Sequence, residues 1–485
     1  MSSLTDRLRG IVKPGRALLE PGGHARPERD PRESREPRGD GEHAGANPHA
    51  AHEAYDADEF RGAMDRGDGD AWHADGVEGG GPRVSIDTAL GGGWAQDALD
   101  GGVRCYVVER VVAADRYHGQ VQVGAIAETL KRAEAEAPML ANGAPARLPF
   151  VFFDLETTGL SGGAGTFAFL VGISAFDDSG AFVTRQYVVP RPADERPMLQ
   201  AVARRLSTAG ALVSFNGRSF DAPLLETRFL YHRLSWTAGR VPHVDVLHPA
   251  RRFWRQESAD GDVSSCSLGT LERVLLGAHR LDDVPGFEVP ARYFQFVRSG
   301  DARPLAGVLE HNRMDLLSLA GLTARLLRLL NEGCEAAADV REAVALGRVF
   351  ERAGLPARAV ESYERALRFP LPRRNPAAVL LHAEAMRSLA LLARRSRRYA
   401  EAAAWWQKLL ELPGCPRPIV REAAEALAVH HEHRVRDLAA ARSFALRTME
   451  VGLAAPRNDA VRHRLDRIER KMTLRTPPGR PLFTD

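Results

Sequence analysis

The run from Phe152 to Leu160, FFDLETTGL, sets two carboxylates on one face of a segment that otherwise reads as buried. Asp154 and Glu156 lie two residues apart, so in an extended chain both project to the same side as Phe152, while Val151, Phe153 and Leu155 line the other. Apolar residues on both faces make an exposed edge strand a poor explanation for the acids. Ionised carboxylates beside such neighbours are costly unless cations pair them. Paired divalent metals are the commonest physical reason to build such a strand, and they call for further acids elsewhere in the chain.

Two acids answer that description, Asp221 in FNGRSFDAPLL and Asp315 in HNRMDLLSL, each near the apolar face of a predicted helix. His311 stands one helical turn before Asp315, which puts imidazole and carboxylate side by side. Two carboxylates on a strand and one on each of two helices can hold a pair of Mg²⁺ or Mn²⁺ ions, the arrangement that phosphodiester hydrolysis requires. A base near neutral pKa must then take a proton from the attacking water, and His311 is the histidine so placed. His243, Asp245 and His248 resemble a metal cluster at first sight, but they read as a polar strand end. The glycine-rich loop SGGAG is not followed by Gly-Lys-Ser/Thr, so a hairpin or substrate-edge loop is expected rather than a nucleotide-phosphate cradle. Arg251, Arg252, Arg255, Phe253 and Trp254 form a basic, aromatic stretch that fits either a single-strand track or an ordinary amphipathic helix.

The 485 residues exceed a single core, and the text divides accordingly. Residues 1–85 read as a disordered low-complexity tail, because Gly, Pro and charged residues dominate and little apolar surface can be buried. Residues 86–145 read as a β-hairpin extension and linker, with CYVVERVVAAD and HGQVQVGAI as its strands around Tyr117-His118-Gly119. Residues 146–332 form an α/β domain: three antiparallel strands, then helix 194–208, strand 211–215, helix 219–233, strand 241–247, and helical text around 267–276 and 304–330. From 336 to 472 the chain is almost purely helical, with the unit Ala343, Leu346, Gly347, Phe350, Ala359, Tyr363, Ala366 echoed twice, and 473–485 reads as a flexible end. The echoes fall about 43 and 38 residues apart, against an ideal of about 34 for tetratricopeptide repeats, so the repeats are degenerate.

After Ala336 there are 28 basic and 17 acidic residues, a net of +11 against +3 for the chain, leaving −8 on the remainder. Such a split suits a phosphate-rich partner or internal pairing, although with only four lysines the arginine content also reflects overall composition. Cys105, Cys266, Cys334 and Cys415 are scattered singly, without the spacing of a zinc site or a disulfide framework, which favours a reducing cytoplasm. The sequence has no uninterrupted apolar run of membrane-spanning length, so no membrane partner is expected.

With these motifs in order, the chain resembles the DEDD exonucleases of the ribonuclease H-like superfamily, and among them the bacterial YprB-type proteins, over roughly residues 100 to 330. The resemblance implies a ribonuclease H-like mixed sheet with flanking helices, followed by an all-α tetratricopeptide-like module. It implies Asp154, Glu156, Asp221 and Asp315 as ligands of two divalent cations and His311 as base. Thr157, Thr158 and Gly159 would line a 3′-terminal nucleotide, with Asn216 and Phe220 near the substrate. One departure stands out, for His311 and Asp315 are four positions apart, as in the tyrosine-bearing subclass, where the histidine subclass has one more. The expected activity is 3′–5′ exonucleolytic cleavage of single-stranded DNA or RNA, with the repeats holding a protein partner. The alternatives are an adaptor that grips nucleic acid with little or no cutting, and a structure-selective endonuclease.

Overall fold

The computed structural model describes residues 83–96, 104–159, 165–255, 266–372, 375–451 and 455–475. The expected N-terminal tail through residue 82, the SGGAG loop at 161–165 except its last residue, and the chain end from 476 lie outside them. β1 (Gly93–Gln96) and β2 (Arg104–Val112) come first, and β3 (Tyr117–His118) with β4 (Val121–Gln122) makes a separate small ladder. Then follow β5 (Phe150–Thr157), β6 (Ala168–Phe176), β7 (Phe182–Val188), β8 (Ala211–Ser214) and β9 (His243–Asp245). The main sheet runs in the order β1-β2-β7-β6-β5-β8-β9, antiparallel as far as β5 and parallel from β5 through β8 to β9.

The apolar residues of β5 divide between two cores as their alternation requires. Phe150 and Phe152 pack with α1 (Val123–Arg132), α4 (Leu247–Trp254) and the later turns of α6 (Arg303–Glu332). Val151, Phe153 and Leu155 pack with α2 (Glu195–Ser207), α3 (Asp221–Tyr231), α5 (Val289–Ser299) and the first turns of α6. Helices thus cover both faces, and each fully buried Phe contributes about 1.5–3 kcal/mol to holding the sheet between them. The β6–β7 turn is closed by Asp177, whose Oδ1 accepts from Ser179 N at 2.9 Å and Ala181 N at 3.0 Å.

Two readings of the text before β5 are corrected. The segment expected as a hairpin extension is an integral strand, since β2 pairs along β7 from Tyr106 opposite Val188 to Val112 opposite Phe182. The stretch after Gly119 is a helix beyond the two-residue β4, because Val123, Ile126, Ala127 and Leu130 follow the helical period and are buried together on α1. Helix α5 was also not anticipated; it starts with Pro290 in its first turn, where the missing N–H costs nothing.

The C-terminal part is a succession of antiparallel helices: α7 (Val340–Arg352), α8 (Pro356–Arg368), α9 (Pro376–Arg395), α10 (Tyr399–Glu411), α11 (Arg417–His430), α12 (Leu438–Val451) and α13 (Ala455–Arg475). From α8 onward each packs on its predecessor. The repeat residues Ala343, Leu346, Phe350, Ala359, Tyr363 and Ala366 are all fully buried. Among the described residues α9 has the length and hydropathy of a membrane-crossing helix, yet its Arg387 pairs with Glu422 and its Glu384 with Arg348, which makes it a member of the stack. The stack and the sheet share one apolar cluster. Buried Glu342 fastens the join, accepting from Trp254 Nε1 at 2.9 Å, Arg325 Nη2 at 3.2 Å and Ala338 N at 2.8 Å.

Candidate active site

Asp154 sits on β5 directly opposite Gly172 of β6. A Cβ on Gly172 would lie 2.1 Å from Asn312 Oδ1, so only glycine lets α6 settle on the sheet at this point. Asn312 is fully buried and turns its amide to the acid, Nδ2 donating to Asp154 Oδ2 at 2.9 Å. Its own orientation follows from Gln186, whose Nε2 donates to Asn312 Oδ1 at 3.0 Å and to Leu309 O at 2.6 Å. A register irregularity between Glu156 and Thr157 marks the end of regular pairing and re-aims the chain beyond the acids. Thr158 Oγ1 accepts from Phe167 N at 3.2 Å and Thr157 Oγ1 donates to Gly159 O at 2.9 Å, so both hydroxyls shape the strand end.

The second motif is built on a tight turn after β8. Asn216 adopts φ 67°, and Asp245 at the end of β9 accepts from Asn216 N at 2.8 Å, Arg218 N at 3.1 Å and Leu247 N at 3.1 Å. Gly217 is pressed against the site, since a Cβ there would lie 2.8 Å from Asp221 Oδ2. Asp221 opens α3, where the helix N-terminus favours a negative charge. Phe220 beside it is 62% exposed, an uncovered ring at the site's edge. Asp245 therefore spends its carboxylate on backbone N–H groups, while His243 Nε2 is 2.7 Å from Ser214 Oγ.

Helix α6 carries the third motif. His311 Nδ1 lies 2.7 Å from Asp283 Oδ1, and its Nε2 lies 3.6 Å from Asp315 Oδ2. An ionised carboxylate can only accept, so Nδ1 donates to Asp283, while Nε2 carries a proton when the ring is charged and a lone pair when it is neutral. Arg280 enters the same space: Nη2 donates to Asp315 Oδ1 at 2.5 Å, and Nε and Nη2 donate to the two oxygens of Glu272 at 2.7 Å each.

The acids act on one another. Burial, then the charges of Asp315, Glu156 and Asp221, hold the Asp154 carboxyl well above the usual carboxylate range. Burial, then Asp315, Asp221 and Asp283, do the same to Glu156. Burial, with a smaller push from Asp245, brings Asp221 up to about 7. Asp315 is raised by burial too, against the pull of Arg280 and His311. Asp154 thus feels the other three expected ligands, and Glu156 feels Asp315 and Asp221. Among the described residues no three His, Cys, Asp or Glu side chains already face one another as a metal site would, because Asp154 is turned to Asn312 and Asp315 to Arg280. Carboxylate oxygens are hard donors of the kind that divalent cations take.

A pH dependence follows. Asp221 moves from 3.8 to about 7 on folding, so across that window the native chain binds more protons than the unfolded one. Its contribution is complete below the lower value and is lost as pH rises through the upper. Melting of the cation-free protein should therefore fall by several degrees between about pH 5.5 and about pH 8, and millimolar Mn²⁺ should remove most of the fall. A melting temperature that rises with pH over this range would contradict the placement of these acids.

Sequence reasoning missed Asn312, Gln186, Gly172, Arg280, Glu272 and Asp283. Asn312 lay inside a motif already singled out; the rest carry no local signal, since their significance comes from pairing across the fold. The basic stretch offers less than it promised, as Phe253 is fully buried and Trp254 is bound to Glu342, leaving neither ring as a stacking platform.

A mixed sheet covered by helices, with acids on its interior strand β5 and on two of the helices, is the arrangement of a ribonuclease H-like domain. The family model of the RNase H superfamily matches residues 151–327. The uncharacterized protein YprB of Bacillus subtilis (strain 168) is 31% identical over 330 residues, covering 66% of this chain and 74% of YprB. The chain belongs to the YprB-type family of ribonuclease H-like proteins. Among solved structures, the family B DNA polymerase from the hyperthermophilic archaeon Pyrobaculum calidifontis matches at 16% identity and a TM-score of 0.31, over 47% of this chain and 30% of the polymerase. That likeness is too slight to bear on function.

Proposed function

We propose that this chain is a divalent-metal-dependent nuclease that trims single-stranded DNA or RNA from a 3′ end, with the helical stack as a partner-binding module. The observation that carries the reading is the set of carboxylates Asp154 and Glu156 on β5, Asp221 at the start of α3 and Asp315 on α6, with Asp154 in the field of the other three. Membership of a ribonuclease H-like family supports it.

Asp154, Glu156, Asp221 and Asp315 would hold two divalent cations, which when bound supply an activated water and a counter-charge for the leaving oxygen. Asp283 holds His311 through Nδ1, so that Nε2 accepts the proton of the attacking water. Asn312, steadied by Gln186, keeps the Asp154 carboxylate from swinging away. The exposed Phe220 ring stacks on a terminal base, while Thr157, Thr158, Gly159 and Asn216 flank the nucleotide. The end preference and the substrate-lining roles rest on the family resemblance.

Labelled single strands with free and with blocked 3′ ends, incubated with Mg²⁺ or Mn²⁺, test the reading. Stepwise shortening of the free strand alone is the expected result. Cutting of both strands would make the protein an endonuclease, and binding without cutting would make it an adaptor.

A further inference from the structure

Arg280 is a cation inside an acidic site, and the surrounding contacts show that it is built in. Its side chain is 9% exposed and that of Glu272 is 4% exposed. Glu272 lies on the π-helical turn Glu272–Leu276 and takes both oxygens to the guanidinium fork at 2.7 Å, the bidentate geometry that arginine and not lysine can match. Ser318 Oγ donates to Glu272 Oε2, and His118 Nε2 lies 2.8 Å from Ser318 Oγ. The mount is completed by Gln120 N, which donates to Leu276 O at 2.8 Å, so the turn is held by the β3–β4 ladder. This scaffold places the guanidinium without help from Asp315. Yet Nη2 reaches beyond Glu272 to Asp315 Oδ1 at 2.5 Å, and Nη1 lies 3.4 Å from Asp283 Oδ2. The outer edge of the fork is thus spent on the carboxylates nearest His311.

We infer that Arg280 is a built-in counter-charge of the carboxylate cluster, holding Asp315 in the cation-free protein and competing with a divalent ion for its Oδ1. The inference rests on the proposed metal role of Asp315. A carboxylate engaged by a guanidinium is a poorer ligand, and a fixed positive charge beside the site repels an incoming cation. Arg280 therefore sets divalent affinity low on the Asp315 side. It is a positioning residue, acting through Asp315 rather than on substrate.

Calorimetric titration of the full chain with Mn²⁺ reads this without any turnover. Arg280→Gln should bind Mn²⁺ about tenfold more tightly, while Arg280→Lys, which keeps the charge, should stay near the original affinity. A purely structural arginine would give the opposite order, with weaker binding in both. Because Arg280→Gln leaves Glu272 buried without its partner, Arg280→Gln/Glu272→Gln is the safeguard for folding. It should shift affinity the same way by a smaller factor, since the Glu272 charge, which attracts a cation, is removed as well. Equal or weaker Mn²⁺ binding in the folded single or double variant overturns the inference. A chain that takes up no Mn²⁺ with or without Arg280 would instead fail the nuclease reading on which it stands.

Discussion

Asp154→Asn should lower the hydrolysis of labelled single strands by about a thousandfold or more, the loss that follows when several kcal/mol of metal-borne stabilisation disappear from the transition state. Asparagine keeps the shape and can still meet Asn312, so the fold has no reason to fail. It removes a charge that the native chain carries at a cost, because burial and three neighbouring acids already favour the protonated form of Asp154. The variant should accordingly melt at a higher temperature than the original in cation-free buffer near about pH 8. Activity lost with stability gained is the signature of a functional acid in a strained cluster. Turnover equal to the unaltered protein would reject the whole assignment of the site.

The second large effect is expected at His311. Its imidazole is fastened through Nδ1 to Asp283, leaving Nε2 on the Asp315 side, as a general base requires. His311→Ala should lose roughly a hundredfold or more in kcat, the usual scale of general acid–base catalysis, with KM little changed. His311→Gln separates base from scaffold, since its amide can still donate to Asp283 and cannot take a proton. Comparable losses in both variants would mark the proton transfer as what matters. Recovery in the glutamine variant would reduce His311 to a support for Asp283.

Much of the candidate site could be read along the chain because its acids break local rules. Asp154 and Glu156 interrupt an otherwise buried strand, and Asp315 follows His311 by one helical turn, so period and polarity alone single them out. Asp245 reads as a strand-end residue, and it ends β9 with three backbone donors on its carboxylate. The misreadings have a common cause. β-branched residues after Gly119 suggested a strand, but their spacing suits the helix that packs under the sheet, and tertiary burial overrode the propensity. Residues 104–112 were right as a strand and wrong in their partner, because pairing with β7 is a long-range choice that no local pattern encodes.

Alternation and spacing by themselves determined the acid-bearing strand, the order of its three motifs and the helical character of the C-terminal part, since each is written in residues close together in the chain. Only the tertiary structure decided that Gly172 makes room for Asn312, that Gln186 steadies it, and that Arg280 reaches Asp315 from a mount on Glu272. Those contacts join residues up to 140 positions apart, as Gly172 and Asn312 are, and electrostatic and steric forces act through space, blind to separation along the sequence.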